Sequence, residues 1–171
     1  MKIKRSLSVI LMFCFLFFGY GCQKTSSYDL SYRERSFCAR VEGNQFGLDF
    51  CCDIYCEEGS ISKIVYLSPL SLKDVIVFPL QDGTFKIQKG DLSFFFSENS
   101  TPPFGLFLPG RRLLLEGINQ SSVNSVQKIS NGFILNISLP GEEQPISLSL
   151  GEDGLPVTLS GTNFSYRVRL N

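Results

Sequence analysis

The stretch Pro145–Leu170, PISLSLGEDGLPVTLSGTNFSYRVRL, constrains the fold most, because apolar residues recur at every second position across two turn signals. Ile146, Leu148 and Leu150 share one face. The GEDG loop brings Leu155, Val157 and Leu159 opposite them, and SGTN returns the chain through Phe164, Tyr166, Val168 and Leu170. Ser165, Arg167 and Arg169 then face water. A period of two with one dry and one wet side describes antiparallel strands, here a three-strand meander.

The same logic runs backwards along the chain. GFILNISLP adds a strand with Phe133, Leu135, Ile137 and Leu139 inward. ISKIVYL, VIVFPL, FKIQKG and LSFFFSE read as strands separated by SPLSLKD, QDGT and KGD, and Pro79 puts its strand at an edge or an end. In FCARVEGNQFGLDFCCDIYC, a two-residue turn at Gly43–Asn44 would pair Val41 with Phe46, Ala39 with Leu48 and Phe37 with Phe50. About nine or ten antiparallel strands share one apolar face, and a sheet that long must curl to bury it. The expected fold is mostly β, a strongly curved half-barrel.

Thr101–Gln120, TPPFGLFLPGRRLLLEGINQ, breaks the alternation with three prolines and three glycines. RRLLLEGI can form one or two helical turns. The segment is either a lid across the mouth of the curled sheet or a connecting loop with an apolar underside.

The first 21 residues are of another kind. Lys2, Lys4 and Arg5 precede an apolar run from Leu7 to Gly21, 15 residues long and broken by Ser8. A span needs roughly 20 apolar residues, so the run suits an exported chain's signal peptide. FFGYGC resembles a bacterial lipobox, with Gly21 before Cys22 and with Gly19 where that pattern usually has a leucine-like residue. The resemblance implies that the Cys22 thiol takes a diacylglycerol and becomes the mature amino terminus. The polar QKTSSYD that follows suits a flexible tether, residues 22–35, and the 150 residues left after the leader suit one domain, 36–171. It places the protein at a bacterial membrane, lipid-anchored and facing away from the cytoplasm. Gln23 lacks the aspartate that retains such lipoproteins at an inner membrane.

The leader holds three of the sixteen basic residues and none of the sixteen acidic ones, leaving a net charge of −3. Beyond Arg111-Arg112 there is no basic cluster, which argues against nucleic acid as a partner. The chain has no histidine. That removes the commonest general base and metal ligand together, so serine–histidine and cysteine–histidine catalysis are excluded and no enzyme activity is expected.

With FCARVEG before a long strand, IVYLSPLSLKDVIV in the middle and LSLGEDGLPVTLSG near the end, the chain resembles the outer-membrane lipoprotein carrier (LolA-like) family and its relatives. The resemblance covers roughly Phe37–Leu170. It implies a curved antiparallel half-barrel around a hydrophobic cavity closed by helical lids. The short, proline-broken lid here departs from that pattern.

Cys38, Cys51, Cys52 and Cys56 lie in the exported part. Cys52 and Cys56 share the apolar face about 13 Å apart, beyond disulfide reach, and read as buried thiols. A Cys38–Cys51 bridge on the wet face would need local distortion, and four ligands converging on a metal are improbable on alternating faces. Asp49 and Asp53, about 6.5–7 Å apart, read as solvated surface rather than a catalytic pair. Asn99, Asn119, Asn136 and Asn163 match the glycosylation sequon, which in a bacterial host is fortuitous.

The expected function is a non-enzymatic lipoprotein holding a hydrophobic ligand, such as an acyl chain, lipid or lipidated partner, in the concave face. Candidate lining residues are Phe46, Leu48, Phe50, Ile54, Phe104, Leu106, Phe107, Leu148, Val157 and Tyr166, with no cofactor and no metal. The alternative is an envelope interaction or sensor domain with a filled core.

Overall fold

The computed structural model describes residues 28–80, 84–97, 105–119 and 122–170. Eleven strands form one curved, unclosed antiparallel sheet with one small helix among the described residues. In chain order they are β1 Phe37–Gln45, β2 Leu48–Glu57, β3 Ser60–Ser68, β4 Ile76–Pro79, β5 Thr84–Lys89, β6 Leu92–Ser97, helix α1 Leu108–Leu113, then β7 Val123–Ile129, β8 Gly132–Ile137, β9 Ile146–Leu150, β10 Pro156–Gly161 and β11 Phe164–Leu170. The spatial order β6-β5-β4-β3-β2-β1-β11-β10-β9-β8-β7 sets β1 against β11 mid-sheet and leaves β6 and β7 as edges.

The period-two pattern sorts side chains as expected. Ile146, Leu148 and Leu150 are buried on β9, and Phe164, Tyr166 and Val168 on β11, while Ser165, Arg167 and Arg169 are exposed. The count is eleven rather than nine or ten, because Val123–Ile129 also pairs, as a polar edge strand whose exposed Asn124, Ser125, Gln127 and Lys128 mask the alternation.

The first hairpin differs from expectation. Its two-residue loop is Phe46–Gly47, not Gly43–Asn44, so Val41 faces Cys52, Ala39 faces Ile54 and Phe37 faces Cys56. Both loop residues have positive φ, 51° and 79°, as a primed turn matching the twist of the strands requires. Gly43 stays in the strand for another reason. A Cβ there would lie 2.0 Å from the Ser165 carbonyl oxygen of β11, so glycine permits the close approach of the two strands. Asn44 serves the turn from within β1, its Oδ1 accepting from the Gly47 amide at 3.0 Å.

Irregularities in register bend the sheet. Shifts between β2 and β3 at Cys51/Cys52 and Tyr55/Cys56 bring Ile61, Ile64 and Tyr66 to the buried side despite their uneven spacing. A shift on β10 pairs Pro156 with Leu150 and Thr158 with Ser149, leaving Val157 between them 44% exposed. The GEDG loop would set Val157 opposite Leu148 and Leu159 opposite Ile146; instead Leu159 pairs with Leu148, because Val157 bulges out of the ladder.

Residues of the expected tether from Tyr28 onward pack on the domain. Ser31–Glu34 forms a 3-10 turn with Tyr32 buried, and Asp29 accepts from the Ser31 amide at 2.7 Å. The leader and Cys22 lie outside the described residues.

Candidate functional site

The concave face of the sheet is apolar, and residues 105–118 lie across it. Leu106, Phe107, Leu113, Leu114 and Leu115 are buried, with Phe107 packed on Phe85 of β5 at a ring separation of 4.6 Å. Leu-Pro-Gly at the start of α1 is a poor helix sequence, and the helix is correspondingly short. Gly110 fits closely against the sheet, since a Cβ there would lie 2.5 Å from the Ile61 side chain and 3.1 Å from that of Ile64.

What fixes the segment, besides burial, is a set of side chains that donate to its backbone carbonyls. The Tyr66 hydroxyl donates to Leu106 O at 2.7 Å and the Tyr32 hydroxyl to Leu113 O at 2.9 Å. Arg33 Nε donates to Leu114 O at 2.8 Å, and Gln45 Nε2 to Gly105 O at 3.2 Å. Burial pushes the phenols of Tyr32 and Tyr66 well above the ordinary tyrosine range, so both remain donors throughout the neutral range.

One charged side chain enters the apolar contact. Arg112 of α1 is buried, with Nε 2.8 Å and Nη2 2.7 Å from Glu142 Oε1 on the β8–β9 connection. Its Nη1 donates to the Tyr166 hydroxyl at 2.6 Å and to Gln45 Oε1 at 3.3 Å. The Tyr166 hydroxyl in turn bonds Gln45 Oε1. Burial raises the Tyr166 phenol, and the neighbouring guanidinium works against that rise. All buried side-chain nitrogen and oxygen atoms among the described residues have partners.

The sequence candidates separate into three groups. Phe50, Ile54, Leu106, Phe107, Leu148 and Tyr166 come together in the buried concave contact. Phe46 and Leu48 do not line it: they are 62% and 41% exposed beside the hairpin turn, because the loop falls three residues later than expected. Val157 is displaced to the surface by the bulge. Phe104 and Cys22 lie outside the described residues. Sequence reasoning missed Tyr32, Arg33, Gln45, Tyr66, Arg112 and Glu142, which hold the segment in place. Arg112 carried a signal of a kind, a lone basic pair inside the least polar loop of the chain.

Surface clefts flank the segment. One of about 370 Å³ lies between Arg111, Arg112, Glu116 and the Leu139–Glu142 turn, and another of about 700 Å³ is lined by Asp29, Arg33, Glu34 and Glu116 among others. Both are rimmed by charge.

The four described cysteines are free. Cys52 and Cys56 are buried, and burial pushes the Cys56 thiol up to about 12. Cys38 faces Tyr55 and Cys51 faces Glu42, four positions apart along the same ladder, about 13 Å, so the Cys38–Cys51 bridge is ruled out by register. Asp53 is not solvated surface. It takes a two-point ion pair from Arg40 at 2.8 and 3.0 Å, whereas Asp49 accepts from Asn44. No group of three or more potential metal ligands converges among the described residues.

No protein-family model matches the chain, and no curated protein matches it in sequence. Among solved structures, an uncharacterized conserved protein from Thermus thermophilus superposes with a TM-score of 0.51 at 8% identity, over 82% of this chain and 80% of that one. A LolA superfamily protein from Nitrosomonas europaea aligns with a TM-score of 0.38 at 6% identity, over 81% of this chain and 84% of the other. The Thermus likeness is one of fold.

Proposed function

We propose that the chain is a non-enzymatic lipoprotein, anchored through Cys22 outside the cytoplasm, whose curved sheet takes an acyl chain, lipid or lipidated partner on its concave face. The observation that carries the reading is the cover on that face. Residues 105–118 are an apolar, proline- and glycine-interrupted segment held by side chains that grip its carbonyls. A ligand enters as this segment moves off the sheet, and the sheet exchanges one apolar partner for another.

Magnitudes set the ligand class. Five buried apolar side chains at about 1.5–3 kcal/mol each give the segment on the order of 10 kcal/mol of apolar contact. A methylene contributes about 0.8 kcal/mol when buried, so a chain of roughly twelve or more carbons matches it and a chain of about six does not. The ligand is therefore a long acyl group.

The rival is an interaction or sensor domain with a permanently filled core, favoured by the complete pairing of buried polar side chains among the described residues. Native mass spectrometry of the full chain extracted from membranes separates the two. A co-purifying acyl lipid supports the carrier reading, and protein of bare mass under conditions that retain lipids on a known carrier contradicts it. The anchor is tested apart from the ligand, since Cys22→Ser should release the protein from membranes, and retention would refute the lipobox.

A further inference from the structure

The two edges of the sheet are unlike. β7 shows water a row of Asn124, Ser125, Gln127 and Lys128, the usual protection of an exposed strand edge. β6 has none. It reads Leu92-Ser-Phe-Phe-Phe-Ser97, carries no charge, and has no strand beyond it among the described residues. Its aromatic side chains lie on both faces. Phe94 opposes Ile87 on the concave side and is 54% exposed, and Phe95 opposes Lys86 on the convex side and is 67% exposed.

The geometry points to a second copy of this chain as the occupant of the edge, with β6 pairing antiparallel to β6 of its partner about a two-fold axis through Phe95. Self-complementarity selects this occupant. Residues 93–97 read Ser-Phe-Phe-Phe-Ser in both directions. A two-fold axis perpendicular to the sheet sets Phe95 opposite itself, Phe94 opposite Phe96 and Ser93 opposite Ser97, each pair on one face. Aromatic cross-strand pairs stabilise a ladder, and with no charge on the strand the pairing apposes no like charges. A two-fold through Phe94 instead sets Ser93 against Phe95 and forfeits the aromatic match. The result is a continuous sheet through two copies, with both concave faces on the same side.

The register makes the test specific. Residues on the axis have Cα atoms about 4.5–5.5 Å apart, within disulfide reach, while Ser93 and its symmetry mate are about 13 Å apart along the strand. In cells expressing the full chain, Phe95→Cys should give a disulfide-linked dimer under mild oxidation. The parent, whose four cysteines among the described residues are free, and Ser93→Cys should give on the order of tenfold less. Phe95 is exposed, so Phe95→Lys leaves the fold intact and should convert the purified protein to monomer in sedimentation. A monomeric parent, a Phe95→Cys chain that does not cross-link, or equal cross-linking by Ser93→Cys overturns the proposal.

Discussion

The guanidinium of Arg112, on α1, donates to the Tyr166 hydroxyl on β11 at 2.6 Å and lies 3.8 Å above the ring of Phe164, two residues earlier on the same strand. A charge buried in an apolar contact is tolerated because Glu142 pairs it through Nε and Nη2, and Tyr166 and Gln45 accept from its Nη1. The two partners are not equivalent. Glu142 retains a quarter of its exposure and can hydrate if abandoned, whereas Arg112 cannot. Glu142→Ala should therefore cost about 3 kcal/mol and exceed the cost of Arg112→Met, which replaces the charge by apolar volume. Urea unfolding of the two variants checks the order.

Tyr66 and Tyr32 hold the covering segment at opposite ends, through Leu106 O and Leu113 O. Tyr66→Phe and Tyr32→Phe each keep the ring and remove one donor to a buried carbonyl, costing about 1–3 kcal/mol. The two sites share no partner, so the losses should add. Limited proteolysis should show faster cleavage within 105–118 in both variants.

The Phe46–Gly47 turn keeps a bulky residue at positive φ. Phe46→Asn should stabilise the protein by about 0.5–1 kcal/mol, because asparagine accepts that conformation and the lost ring is mostly in water. Gly43→Ala should do the opposite, destabilising by about 3 kcal/mol or more, since the added methyl meets the Ser165 carbonyl. Thermal melts of the two variants should move in opposite directions.

Alkali should unfold the protein. The Cys56 thiol is raised from an ordinary value of 9.0 to about 12 in the folded state, and Cys52, Tyr32, Tyr66 and Tyr166 shift the same way by burial. The unfolded chain loses the thiol protons above pH 9 and the phenol protons above pH 10, while the folded chain still retains them. The stabilisation is complete below pH 9 and falls as pH rises toward 12. Cys56→Ala should flatten that fall, as denaturant midpoints across the range would show.

Most strands were legible because burial on one face imposes a period of two; β9 and β11 follow that pattern, while on β10 the bulge at Val157 breaks it and shifts the register. The first hairpin was misplaced because two glycines compete for its turn, and the contact that decides between them, Gly43 against Ser165, spans more than a hundred residues. β7 was illegible because an edge strand buries little. The site was half legible. Apolar members followed from parity, but Tyr32, Tyr66, Arg33 and Gln45 grip the covering segment through its backbone carbonyls, which leave no mark in composition.

If the proposed function holds, a long acyl chain and residues 105–118 compete for the concave face. Hydrogen exchange of the full chain, with and without a single-chain phospholipid below its micellar concentration, reads that competition out segment by segment. Faster exchange in residues 105–118 is expected when lipid is bound, together with slower exchange in β2 and β9. Binding of the lipid with no change in 105–118, or no binding at all, would contradict it.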